Sequence, residues 1–262
     1  MRRACVSIAI SVMVLVASRS NGSDAKNATT EKPTKTAHVA TVRMVNQNLL
    51  HGTACPADSN RCRLPQRVAL FSRQLVRGEC PELVAIEEAN RQTVQALRRH
   101  LPGPCGYRLA WDDDPGQDRE VVLSTLPILR VERRPLAGPL RTALSVQVAA
   151  PVGAVDLVAT HLASSSDDRP CDTSSCPPPC QATDTLNTCQ GRQAVAFLHE
   201  QRRPRSVAVL AGDVNAKPGG PTIEAITATG MVDTHLAAGT AECNPTTAPT
   251  APVDERTTRS PT

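Results

Sequence analysis

The sequence Val207-Ala208-Val209-Leu210-Ala211-Gly212-Asp213-Val214-Asn215 decides how the rest of the chain is interpreted. Its first five residues are apolar, which predicts a strand buried on both faces. If the chain stays extended past Gly212, Asp213 and Asn215 face one cavity at the edge of a sheet. There Asp213 could hold a metal or orient a water, and Asn215 could hydrogen-bond an oxyanion. The alternative is a Gly-Asp turn in which Asn215 caps the next helix.

Three other predicted strands end in a polar residue in the same way. Asn48 follows residues 42–45, Glu88 follows residues 83–86, and His161 follows residues 155–160. Strands of α/β sheets commonly present their site residues at one edge. We therefore expect these side chains and Asp213 to meet in one cleft.

The pattern between these strands predicts a mixed α/β domain. Apolar residues at helical spacing predict helices near 64–75, 94–101 and 194–198. Several strands follow one another without a helix, which indicates that part of the sheet is antiparallel. The predicted strands are 39–48, 82–86, 107–111, 120–124, 128–133, 141–149, 155–160 and 207–211.

The two ends of the chain differ from this domain in composition. Residues 1–17 begin with two arginines and continue into an apolar run too short to span a bilayer, which predicts a signal peptide; an uncleaved membrane anchor is the alternative. Residues 18–38 are predicted to be a disordered linker, and the Thr- and Pro-rich residues 244–262 a disordered tail. One domain at 39–243 lies between them, with a Cys- and Pro-rich insertion at 163–185. Removal of residues 1–17 lowers the formal charge from +4 to +2, too little to indicate nucleic acid as the partner.

Cysteine usage agrees with export. Ten cysteines are present; Cys5 lies in the predicted signal peptide, and most of the other nine would pair in an oxidising compartment. Cys55 with Cys62 would close one loop, and the four cysteines of the insertion region another, while Cys243 is the odd one. A zinc site in the insertion region is the alternative, but its spacing does not give two Cys-x-x-Cys pairs. The disulfide candidates are Cys55, Cys62, Cys80, Cys105, Cys171, Cys176, Cys180 and Cys189.

Five motifs in order resemble those of the endonuclease/exonuclease/phosphatase superfamily, the DNase I-like proteins. They occupy residues 44–49 (MVNQNL), 81–88 (PELVAIEE), 121–128 (VVLSTLPI), 156–162 (DLVATHL) and 210–215 (LAGDVN). Each motif alone is weak, but five in the family's order span most of the chain between Val39 and His235. The resemblance implies a four-layer α/β sandwich, two packed mixed sheets flanked by helices, with the site in a cleft at one end of the sheets.

The resemblance also implies a role for each strand-end residue. Glu88 and Asn48 match the family's metal site, although the residue before Glu88 is Glu87 where Gln is usual. His161 and Asn215 match residues that contact the phosphate, and Asp213 matches the one that orients or deprotonates the attacking water. Mg²⁺ is the implied cofactor, with Mn²⁺ or Ca²⁺ as alternatives.

The family's last motif, a Ser-Asp-His after an Arg-Ile-Asp-Tyr-like strand, has no match in this chain. We interpret the chain as truncated at the C-terminus, which predicts weak activity and an unpaired sheet edge. The alternative is that His235 or His199 replaces the missing imidazole.

The function expected from the resemblance is metal-dependent phosphoesterase activity, on a phosphodiester or a phosphomonoester, in a secreted monomer without a protein partner. The substrate class stays open between nucleic acid, a lipid head group and a small molecule. A non-catalytic binding module that keeps the fold is the competing hypothesis.

Overall fold

The computed structural model describes residues 13–14, 41–50, 63–101, 103, 105–111, 119–164, 168–171 and 176–237. The helices of this part are α1 (Leu64–Arg77), α2 (Arg91–His100), α3 (Leu186–Gln201), α4 (Pro221–Thr227) and α5 (Thr234–Ala237). The strands are β1 (Met13–Val14), β2 (Met44–Asn48), β3 (Leu83–Ala89), β4 (Arg108–Trp111), β5 (Arg119–Ser124), β6 (Ile128–Pro135), β7 (Thr142–Ala150), β8 (Gly153–His161) and β9 (Val207–Asp213).

The strands form two mixed sheets. One has the order β2-β3-β5-β4 and the other the order β1-β9-β8-β7-β6. β2 runs parallel to β3, and β8 runs parallel to β9. The successive strands β6, β7 and β8 pair antiparallel, as their direct connections predicted.

Three apolar clusters hold four layers together. The first lies between α1, α2 and the outer face of the β2–β5 sheet, and includes Phe71, Ile86 and Leu97. The second fills the space between the two sheets with aliphatic residues such as Ala85, Val122 and Leu157. The third packs α3 and α4 on the outer face of the other sheet. The predicted four-layer sandwich is confirmed.

Some predicted boundaries were wrong. The first strand of the domain begins at Met44 rather than at residue 39, and residues 41–43 are irregular. β3 continues to Ala89, beyond the predicted end at Ile86. An unpaired sheet edge was expected without a stated position; at the outer edge of β9, Met13 and Val14 pair with Leu210 and Val209. The remainder of the predicted signal peptide, most of the linker and the whole tail lie outside the described residues.

Three disulfides join described cysteines. They are Cys80–Cys105, Cys171–Cys176 and Cys180–Cys189. The sulfur atoms of Cys171, Cys176 and Cys189 lie within 4.8 Å of one another, but all belong to disulfides, so zinc would find no thiolate there. The zinc alternative is therefore wrong for this structure. Cys55, Cys62 and Cys243 lie outside the described residues.

A search of the described helices finds none with the length and apolar character needed to cross a membrane.

Candidate active site

The predicted site residues leave the two sheets at one end. Asn48, His161 and Asp213 are the last residues of β2, β8 and β9. His161 and Asp213 are also register partners across the β8–β9 pair, which places them side by side. The strand ends therefore meet as the sequence predicted.

Glu88 reaches the site by a different route from the predicted one. It lies within β3, where the register with β5 shifts between Ile86 and Ala89. Its backbone is left-handed, with φ of +56°, a strained conformation for a residue with a side chain. The bulge turns Glu88 toward the cleft, whereas its neighbour Glu87 is fully buried.

Gly212 allows β8 and β9 to approach each other directly below the site. Its φ of +149° lies in a region that residues with side chains rarely adopt. A Cβ atom at this position would lie 1.7 Å from the carbonyl oxygen of Thr160. No other residue type is compatible with this pairing.

A single amide brings the two site carboxylates together. Asn48 Nδ2 donates to Glu88 Oε1 at 2.8 Å and to Asp213 Oδ2 at 3.0 Å. Its Oδ1 accepts the backbone N–H of Leu50 at 2.7 Å, which fixes which end of the amide faces the carboxylates. Glu88 and Asp213 therefore share one cavity, and Asn48 holds them there as a donor.

His161 lies between the same carboxylates. Its Nδ1 is 3.8 Å from Glu88 Oε1, and its Nε2 is 3.9 Å from Asp213 Oδ2. Asn215 Nδ2 is 2.9 Å from His161 Nε2 and donates to the carbonyl of Leu162 at 3.0 Å. Because the Leu162 carbonyl can only accept, Asn215 presents its NH₂ group, and Nε2 of the neutral imidazole accepts from it.

The chain turns at Asn215 instead of staying extended. Asn215 has a φ of +48°, and its N–H donates to Asp213 Oδ1 at 3.1 Å, an Asx-type turn. Asn215 does not cap the next helix, because Gly220 is the N-cap of α4. The turn brings the Asn215 amide back to His161, so Asp213 and Asn215 face the same cavity for a different reason from the predicted one.

The donor set suits a hard divalent cation. Glu88 Oε1 and Asp213 Oδ2 are carboxylate oxygens held side by side, and Glu88 and Asp213 keep 15% and 34% of their side chains exposed. Oxygen ligands with room for water are what Mg²⁺ prefers. Asn48 directs a nitrogen rather than an oxygen into this space, so its contribution to a cation is to position the carboxylates.

A second group of carboxyl side chains lies buried beneath the site. Burial raises the pKa of Glu87 well above its ordinary value, and the negative charge of Asp213 raises it further. Asn46 Nδ2 donates to Glu87 Oε2 at 3.3 Å. Burial also raises the pKa of Glu120 to about 7, although the Thr142 hydroxyl donates to Glu120 Oε2 at 2.6 Å and acts in the opposite direction.

The sequence pattern did not predict that Glu87 and Glu120 are buried beneath the site, or that two amides on α3 are buried. Asn187 and Gln190 are buried and continue, at helical spacing, the stripe of Ala194 and Leu198 that packs on the sheet. Polar residues on the apolar stripe of a helix were the available signal.

Of the proposed substitutes for the missing imidazole, His199 is exposed near the end of α3, whereas the imidazole of His235 lies outside the described residues.

The comparisons with known proteins rest on structure. No protein-family model and no curated protein sequence matches this chain. A humanized D. rerio TDP2 has a TM-score of 0.52 and 16% identity over 71% of this chain and 66% of that one. ANGEL2, a 2',3'-cyclic phosphatase, has a TM-score of 0.54 and 15% identity over 71% and 56%. A β-hairpin deletion mutant of the Staphylococcus aureus beta toxin has a TM-score of 0.53 and 14% identity over 72% of each.

These similarities concern the fold. This chain spans about two thirds or less of the TDP2 and ANGEL2 structures. The three proteins belong to the superfamily whose motifs the sequence resembles. The chain has the four-layer fold of the endonuclease/exonuclease/phosphatase superfamily.

Proposed function

We propose that this chain is a secreted, metal-dependent phosphoesterase that hydrolyses a phosphodiester or phosphomonoester by in-line attack of water. The observation that carries the proposal is the pair of hydrogen bonds from Asn48 to Glu88 and Asp213, 2.8 and 3.0 Å long. They hold two carboxylates from different sheets beside one imidazole. Such an arrangement suits a cation and an anionic ester better than it suits a purely structural role.

Each residue has a task in this reaction. A divalent cation bound at Glu88 and Asp213 would neutralise phosphate charge and hold the attacking water. Asp213 accepts a hydrogen bond from that water and takes its proton as the new P–O bond forms and the bond to the leaving oxygen breaks. The NH₂ of Asn215, whose two hydrogens bond His161 Nε2 and the Leu162 carbonyl in this structure, donates to a phosphate oxygen once His161 releases it.

His161 must change its hydrogen bonding to contact the phosphate. Its Nε2 accepts from Asn215 in this structure, so it can donate to phosphate only when Nε2 itself carries a proton, in the other neutral tautomer or in the imidazolium. The carboxylates of Glu88 and Asp213 lie 3.8 and 3.9 Å from its two ring nitrogens.

The substrate class that we propose is a phosphate ester. ANGEL2, at TM-score 0.51, is described in complex with adenosine-2',3'-vanadate, which supports a phosphate-ester site in this fold. Three disulfides support an oxidising compartment and thus secretion of the chain.

The test compares metal binding and hydrolysis in matched variants. Calorimetry with Mg²⁺ and Mn²⁺ on the full chain should detect binding that Glu88→Gln weakens at least tenfold. Hydrolysis of bis-p-nitrophenyl phosphate should be abolished by EDTA and lowered by about 10³-fold in Asp213→Ala. Glu224→Gln, on the exposed face of α4, is the control and should leave both unchanged.

The outcomes separate the proposal from its competitor. Wild-type chain that binds neither Mg²⁺ nor Mn²⁺ would support the non-catalytic binding module. EDTA-resistant hydrolysis that survives Asp213→Ala would also contradict the proposal.

A further inference from the structure

A buried amide on α3 bonds both loops that leave the active-site strands. Asn187 Nδ2 donates to the carbonyl of Ala163 at 2.6 Å and to the carbonyl of Val214 at 3.0 Å. Ala163 is two residues past His161, and Val214 separates Asp213 from Asn215. One NH₂ group therefore sets the spacing of the two loops.

The orientation of this amide is fixed from its other side. The hydroxyl of Thr222 on α4 donates to Asn187 Oδ1, and the backbone N–H of Asn187 donates to Asp168 Oδ1 at 2.9 Å. Asn187 and Thr222 are each only 4% exposed. A buried amide with all its groups in use has no alternative partner, and water cannot replace a lost bond.

A second amide, one turn further along α3, supports the first. Gln190 is fully buried; its Oε1 accepts the N–H of Ala163 at 2.7 Å, and its Nε2 donates to the carbonyl of Ala137 at 2.6 Å. In the loop after His161, the N–H and the C=O of Ala163 are thus both bonded by side chains of α3. The two strand ends are also joined directly, by Leu162 N–H and the Asp213 carbonyl at 3.0 Å.

We propose that Asn187 is a positioning residue for the active site, which holds the loop after His161 and the loop after Asp213 at the separation that the site needs. This inference rests on the proposed function for the meaning of the site, but its geometry is independent of any metal. Active-site groups displaced by about 1 Å lose much of their effect, so a donor that bonds both loops bears directly on His161, Asp213 and Asn215.

The variant that tests it is Asn187→Leu, which keeps the side chain's shape and leaves both loop carbonyls without their donor. Asn187→Asp tests the donor itself, because it keeps an acceptor for Thr222 but turns an oxygen toward two carbonyls. The matched control is Gln193→Met on the same helix. Gln193 accepts the N–H of Ala137 at 2.7 Å, and Ala137 is connected to the loop after His161 through Gln190, which this substitution leaves in place.

Two readouts are compared at a temperature where all variants are folded by circular dichroism. Hydrogen exchange at the amides of Leu162, Ala163 and Asn215 should accelerate at least tenfold in both Asn187 variants and less than twofold in Gln193→Met. The affinity for orthovanadate in Mg²⁺, measured by calorimetry, should fall at least tenfold in the Asn187 variants and stay unchanged in the control.

Equal acceleration in Asn187→Leu and Gln193→Met would reduce Asn187 to a packing residue and overturn the inference. Wild-type chain that binds no vanadate would count against the proposed function, while hydrogen exchange would still decide the role of Asn187. If the Asn187 variants do not fold, Thr222→Val decides it: faster exchange at Ala163 and Asn215 supports the inference, and unchanged exchange contradicts it.

Discussion

Gly212 shows how a single residue sets the geometry of the site. Its missing side chain lets β9 lie against the Thr160 carbonyl, which makes His161 and Asp213 register partners. The residue types of this motif pointed to a site, but the contact that requires glycine lies on a strand some 50 residues earlier in the sequence. Only the paired strands reveal it.

We predict that Gly212→Ala destabilises the fold by about 3 kcal/mol or more, because the new methyl group and the Thr160 oxygen cannot both keep their positions. Urea unfolding measures the change. Gly153→Ala is the control: Gly153 also has a positive φ, of +107°, but a Cβ there would meet nothing within 4 Å, so a loss of about 1 kcal/mol is expected. Equal losses in the two variants would show that the contact with Thr160 does not matter.

At the scale of elements, the bulge in β3 and the turn after β9 orient the site side chains. Regular strands would alternate their side chains between the two faces of a sheet. The left-handed residues Glu88 and Asn215 break this alternation and direct their side chains into the cleft. Alternation in the sequence predicts strands, but a bulge within an apolar run leaves no comparable periodic signal.

A side-chain hydrogen bond between β5 and β7, which lie in different sheets, involves a carboxyl group that makes stability depend on pH. Glu120 on β5 accepts from Thr142 on β7, and burial raises its pKa to about 7 from 4.5. A carboxyl group with a raised pKa keeps its proton in the folded state, so its contribution to stability is full below about pH 4.5 and is lost as pH rises to about 7.

We predict that the free energy of unfolding falls by about 2.5 kcal/mol more in wild-type chain than in Glu120→Gln between pH 5 and pH 8. Glutamine keeps the shape of the neutral acid and cannot ionise. Urea unfolding of both proteins at the two pH values gives the difference. Parallel pH profiles would show that Glu120 is already ionised in the folded protein at pH 5.

At the scale of the whole molecule, one disulfide links the two connections that lead from the helices α1 and α2 back to their sheet. Cys80 lies between α1 and β3, and Cys105 lies between α2 and β4, so their bond closes the helical layer over one sheet. This bond spans 25 residues, whereas Cys171–Cys176 spans 5 within the insertion.

We predict that the double substitution of Cys80 and Cys105 by alanine lowers the free energy of unfolding by about 3 kcal/mol. The same change at Cys171 and Cys176 should cost less, because a shorter loop restricts the unfolded chain less. Guanidinium unfolding of the two double variants and wild type provides the comparison. A larger loss from the short loop would contradict this view of how the layers are held.

The sequence by itself determined the mixed α/β pattern and the strand ends that carry the site, because burial patterns are local properties of the chain. The four-layer fold followed from the resemblance of five ordered motifs, which are local as well. The tertiary structure decided how the site is assembled: Asn48 as a donor to both carboxylates, Glu88 on a bulge, Asn215 on a turn, and Asn187 between two loops. These features depend on contacts between residues far apart in sequence, where the hydrogen-bonding needs of one buried group are met by another. A local pattern carries no information about such a partner.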